Sequence, residues 1–340
     1  MSGLPEAGQA MSGPPTRVPV VPPEVSRNPG ATSQAQSPDE ALGTEIARAG
    51  ELWWTARFSV PAACAVLLVL AQICYPLTSG IGRDRITVVV VLLSAGTALA
   101  HATATRGLRF ALGFAVIVSG LGLLAEIFGT ATGLPFGWYE YATDRLGPAL
   151  SGVPLVVALA WTGGLYPVWV VAGLLTRRAA ARIGLTAIGA VGWDLFLDPQ
   201  MVADGQWTWR DTDSGLPGLA QIPYTNYLGW FAVALLMGAL LAVWDRAAPA
   251  SVGLDKLSAG LDRNRRRSAT EAGVMVPVLV FLWTWLGSAL AHAVFLGLPF
   301  SAGYGGLGLG VLGVALLLRL RRDTGPHREI RRSRTARTAR

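Results

Sequence analysis

Eight stretches of this chain are too long and too uniformly apolar to be strands of a soluble core. They run roughly over residues 58–79, 86–104, 108–128, 153–175, 183–198, 227–244, 274–297 and 301–320. A helix of about 20 mainly apolar residues crosses the hydrocarbon core of a bilayer. The runs do not alternate, which argues against membrane strands. The expected fold is an all-α, polytopic transmembrane helix bundle of about eight spans. Composition points the same way: mean hydropathy is +0.44 and only 14% of residues are charged, far from a soluble domain.

The flanks differ from this body. Residues 1–50 are rich in Pro, Ser, Gly and Ala, lack a signal-peptide core, and are expected to be a disordered N-terminal segment. The transmembrane domain is placed at 51–322. A basic, disordered tail is expected at 323–340, solvated near anionic headgroups. The net charge is +7, almost all from arginine, with Lys256 the one lysine. The arginines sit between spans and in the tail, which is a membrane-orientation pattern and not a nucleic-acid footprint. Arg48 and Arg57, then Arg106 and Arg109, then Arg177, Arg178 and Arg182, then Arg263, Arg265, Arg266 and Arg267 fall on one side of an eight-span chain. That side is the cytoplasmic one, with both termini cytoplasmic, and the expected location is the cell membrane. Arg83 and Arg85, flanking Asp84, are the exception.

Several chemistries lack their residues. Cys64 and Cys74 lie ten apart on one predicted helix, about 15 Å along its axis, too far to bridge; they read as packing residues. His101, His292 and His327 are too few and too scattered for a di-iron or haem site. Gly303, Gly305 and Gly308 match a dinucleotide fingerprint in spacing, but no strand precedes them and the segment is apolar. Gly306 and Gly310 suit close helix packing instead.

The polar residues concentrate where apolar helices end. Asp194 and Asp198 are four apart and share a helix face, with Asp194 about 6 Å deeper. Pro199 is expected to end that helix, because the residue before proline avoids helical geometry. Two carboxyls at the negative end of a helix dipole, close together and near lipid, favour keeping at least one proton. Glu126 follows a deep apolar run on another helix. Charge at such depth is costly and usually functional. The bland alternative is wet interfacial carboxylates, one of them paired with an arginine such as Arg210. Trp138, Tyr139, Tyr141, Trp193, Trp207, Trp209 and Trp230 lie at the predicted boundary, where an interfacial belt explains most of them. Trp193 and Trp230 adjoin the polar cluster and are the candidates to face a cation. Asn226 reads as a helix cap or the holder of a water. His292, late in its span, reads as a packing residue or a partner for a carboxylic acid. With this span count, all these groups converge on the non-cytoplasmic end.

Two strings carry a resemblance. EIFGTATGLPFGWYEYATDRLGPALSGVPLVVALAW (126–161) is one; DLFLDPQMVADGQWTW with IPYTNYLGW, within 194–230, is the other. The chain, over roughly 58–320, resembles the membrane-integral carotenoid hydratases, the group of γ-carotene 1′-hydroxylase and bisanhydrobacterioruberin hydratase. The resemblance implies addition of water across the terminal C1=C2 double bond of an acyclic carotenoid end, giving a tertiary alcohol, with no redox cofactor. The implied partners are an acyclic carotenoid, water, the lipid bilayer and other membrane enzymes of the carotenoid pathway; a nucleic acid is not among them. Such chemistry needs an acid for the alkene carbon, a cavity that tolerates a cation, and a held water with a base. From the residues, Asp194 is the expected acid and Asp198 or Glu126 the base. Trp193, Trp230, Tyr139, Tyr141, Trp207, Trp209, Asn226 and His292 are expected around the substrate. The competing readings are a carotenoid prenyltransferase or elongase, a cyclase, and a lipid transporter or scaffold.

Overall fold

The structure is a computed structural model that describes residues 59–142, 144–248 and 263–324. The segment 1–50 and the tail beyond Thr324 lie outside the described residues, as do Arg48, Arg57, Lys256 and His327. Within them run eight helices long and apolar enough to cross a membrane. They are α1 (Ser59–Leu77), α2 (Gly80–Arg106), α3 (Leu108–Thr132), α4 (Leu155–Leu175), α5 (Ala179–Ala203), α6 (Tyr224–Ala247), α7 (Arg263–Phe295) and α8 (Pro299–Thr324). The span count read from hydropathy holds, and most ends agree within a few residues. α7 has two π-helical turns near its C-terminal end, Trp283–Gly287 and Ala291–Phe295.

α4 is the centre of the bundle. Of its most apolar window 72% is buried, against 22–39% for the other seven spans. Its hydrophobic residues therefore surround the helix, as expected of one with protein on every side. Trp161, Leu165, Trp169 and Val171 are all buried. At Gly164 a Cβ would overlap the Trp193 ring, so glycine there lets a tryptophan of α5 lie against the α4 backbone.

α5 corrects the expectation for Pro199. The helix does not stop at Asp198 but runs through the proline to Ala203. A proline inside a helix leaves the carbonyl four residues earlier without its donor. Here that carbonyl, on Leu195, accepts a hydrogen bond from Ser301 Oγ of α8 at 2.6 Å. The lost backbone bond is replaced from a neighbouring helix, so the helix continues. Ser301→Ala is expected to lower stability by about 1–2 kcal/mol, because it leaves a buried acceptor unpaired. An unfolding midpoint unchanged in detergent would show that Leu195 finds another donor.

α5 and α8 meet backbone to backbone at Gly192 and Gly308, where a Cβ on Gly308 would lie 2.7 Å from Gly192 Cα. The close approach is thus centred on Gly308 and not on Gly306 and Gly310, which pack against α7: the Gly306 carbonyl accepts from Trp285 Nε1 at 2.8 Å, and Gly310 faces the same ring. Of the two cysteines, Cys64 is half-buried and Cys74 exposed, so Cys74 is no packing residue; neither is bonded to the other.

Among the described residues, the α3–α4 and α5–α6 connections contain strands, a departure from a purely α reading. In the described residues they form three two-stranded antiparallel ribbons: β1 (Tyr139–Tyr141) with β4 (Trp207–Trp209), β2 (Ala149–Leu150) with β3 (Val153–Pro154), and β5 (Gly215–Leu216) with β6 (Leu219–Pro223). The first joins the two resembling strings in register, Tyr139 opposite Trp209 and Tyr141 opposite Trp207. Strand side chains alternate faces. Tyr139, Trp207 and Trp209 are accordingly buried and Tyr141 half-buried, while Glu140 and Thr208 are exposed.

Ion pairs mark the two ends of the bundle. At the ribbon end Arg145 binds Asp84 at 2.6 Å and Arg83 binds Asp204 at 2.7 Å; Gln206 also donates to Asp84. At the other end Arg106 and Arg182 both reach Asp245 at 2.7 Å. There His101 bridges Tyr166 and the Gly273 carbonyl.

Candidate active site

Beneath the β1–β4 ribbon lies a cavity of about 410 Å³. The C-terminal ends of α3 and α5 and the N-terminal ends of α4 and α6 bring acid and aromatic side chains into it. Glu126, Asp198, Asn226, Trp193, Trp230, Tyr139, Tyr141, Trp207, Trp209 and His292 all line it. Every site residue named from the sequence therefore meets in one chamber, with one exception. Asp194 is fully buried but stands behind the wall.

The two aspartates are held as a pair. The Asn226 side-chain amide donates to Asp194 Oδ2 at 3.0 Å and to Asp198 Oδ2. Asn226 is thus not a helix cap; α6 begins at Tyr224 after Pro223, and its third residue points inward. Asp198 Oδ1 also accepts from Trp207 Nε1 at 3.2 Å. Among the described residues Asp194 Oδ1 has no partner although it is buried. The arginine pairing that would have made these carboxylates ordinary surface groups is not made by Arg210, which stacks on Trp138.

Glu126 has other partners. Tyr139 and Tyr141 hydroxyls both donate to its Oε2, the latter at 2.8 Å, and Trp161 Nε1 donates to Oε1 at 3.0 Å. Burial, reinforced by the charge of Glu126, pushes both tyrosine hydroxyls up from the usual phenol range. They keep their protons and remain donors. Glu126 thus accepts three side-chain hydrogen bonds.

Indoles line the same chamber. Trp161 and Trp230 stack with centroids 3.9 Å apart, and Trp193 meets Trp230 edge-on at 5.5 Å. Trp161 was not singled out from the sequence. Its signal was there: one indole in the otherwise aliphatic opening of α4, at the end of the first resembling string. Trp138, by contrast, is exposed and belongs to the surface.

His292 is fixed by bookkeeping. Ser301 donates its proton to the Leu195 carbonyl, so its oxygen must accept from His292 Nδ1, 2.8 Å away. His292 Nε2 then faces the Gln200 side chain at 3.1 Å as an acceptor. The Gln200 atom placed there is Oε1, so a neutral Nδ1–H tautomer requires the Gln200 amide to be turned over, its nitrogen toward the ring. His292 thus supports the α5 proline site while one face borders the cavity.

The chamber thus combines buried carboxyls, hydroxyl and amide donors and electron-rich rings. The sequence profile of a protein family described as "Carotenoid biosynthesis protein" matches residues 86–311, which spans every carboxyl and indole of the chamber. No curated protein and no solved structure matches the chain significantly.

Proposed function

This chain belongs to the carotenoid biosynthesis protein family, and from that premise we propose that it hydrates the terminal C1=C2 double bond of an acyclic carotenoid end. The observation that carries the proposal is the contrast between the two acid sites. Asp194 and Asp198 share one amide donor, and two carboxyls so close, walled off from water, hold one proton between them. Glu126 accepts three hydrogen bonds. On this difference in partners we give the paired aspartates the role of acid and Glu126 that of base.

The proton leaves Asp198, the member of the pair that lines the chamber, for the C2 carbon of the alkene. The double-bond electrons form the new C–H bond and leave a tertiary cation at C1. Trp161 and Trp230 stack on each other, so an outer face of this indole pair is what meets the cation, an attraction that strengthens as water is excluded. Glu126 orients a water toward C1 and takes its proton as the C–O bond forms. The sum is one water added. Return of the proton from Glu126 to the aspartate pair through water resets the site. Asp194 acts through Asp198, holding the shared proton in place.

We also read both termini as cytoplasmic. The Arg83–Asp204 and Arg145–Asp84 pairs support this, because they neutralise positive charge at the end read as non-cytoplasmic.

The decisive measurement is anaerobic incubation of purified protein with a lycopene-type polyene in ¹⁸O-labelled water. The expected product carries one labelled oxygen per hydrated end. A product of unchanged mass would identify ring closure instead, and no product would favour a transporter or scaffold.

A further inference from the structure

The chamber is open on the side away from its acids. Ile73 and Leu77 of α1 and Leu290 and Phe295 of α7 line it, and they are also exposed, by 46, 76, 58 and 61%. A side chain that both lines a cavity and faces outward marks its mouth. All four are apolar, so the mouth faces acyl chains at far less cost than it would face water. Deeper in the bundle the same two helices are sealed, with Leu68 of α1 packed on Val276 and Val280 of α7. Between the seal and the rim, Trp283 Nε1 donates to Gln72 Oε1 at 2.8 Å and ties α7 to α1. Both π turns of α7 fall in this stretch. Such turns recur at functional sites.

Size adds a second constraint. A cavity of about 410 Å³ suits a ligand of drug size and does not enclose a long polyene. We propose that the polyene chain passes through this α1–α7 mouth into the bilayer, so that the protein binds its substrate end-on and reads only the inserted end group. The proposal rests on the hydration reading above and extends it. A substrate with two reactive ends must then leave and return between them, and the singly hydrated product accumulates first. The structure of the distant end has little influence on turnover.

The test closes the mouth reversibly. In protein with Cys64 and Cys74 replaced by serine, Ile73→Cys and Leu290→Cys are joined by a reducible bismaleimide. Uptake of a lycopene-type polyene is read as pigment retained by the protein after gel filtration, beside hydration of the same sample. Cross-linking is expected to abolish uptake at least tenfold, and reductant to restore it. Equal uptake by cross-linked and reduced protein overturns the mouth. Gated uptake without hydration supports the mouth and overturns the reaction assigned to the site. Uptake by neither form overturns both. Should the paired variant fail to fold, Leu290→Trp, at an exposed position that accepts bulk, narrows the same mouth. It should lower uptake severalfold, and undiminished uptake overturns the mouth.

Discussion

Asp198→Asn is expected to lower hydration by about 10³-fold while the bundle stays folded, the scale of losing a positioned general acid. Asparagine keeps the volume of aspartate and its carbonyl oxygen can still accept from Trp207 or Asn226, so packing is preserved. What is lost is the proton that faces the chamber. Asp194→Asn is expected to cost less, because Asp194 reaches the chamber only through its neighbour. Labelled-oxygen product per folded protein, with gel filtration to certify folding, measures both. Greater loss in Asp194→Asn than in Asp198→Asn would reverse the roles and restore Asp194 as the acid.

The second large effect is structural. Gly308→Leu is expected to abolish recovery of folded protein. Even a Cβ there meets the Gly192 backbone at 2.7 Å, and overpacking a tight contact costs about 1–3 kcal/mol or more. Backbone cannot step aside as a side chain can, so α8 would have to leave α5. α5 carries both aspartates, and its Leu195 carbonyl depends on Ser301 of α8. Monodisperse recovery and the unfolding midpoint are the readouts, with Gly308→Ala expected to show a milder form of the same loss. Native yield of Gly308→Leu would mean that the two helices separate freely.

The eight helices were legible because hydrophobic length is a one-dimensional property that a sequence displays directly. So was the convergence of Glu126 with the aspartates, once spans fixed which helix ends lie together. What stayed hidden depended on contacts between distant segments. Pro199 looked like a stop because the donor that keeps the helix going, Ser301, lies on another helix. Asn226 looked like a cap because its targets are on α5. Asp194 and Asp198 share a face in any helical wheel, yet which of them borders a cavity depends on what packs in front. The YEY and WTW triplets did alternate, a strand signal short enough to be lost between helices; their pairing needed the fold to bring residues 139 and 209 together.

That ribbon has a consequence for motion. Tyr139 and Tyr141 form part of the roof and also supply two of the three donors that hold Glu126, while Trp207 on the facing strand supplies one of Asp198. Peeling the roof away would therefore strip both acids of partners at once. Admission of bulk solvent and loss of the charge arrangement are mechanically the same event, so a loosened ribbon disarms the chemistry before any reactive cation could meet stray water.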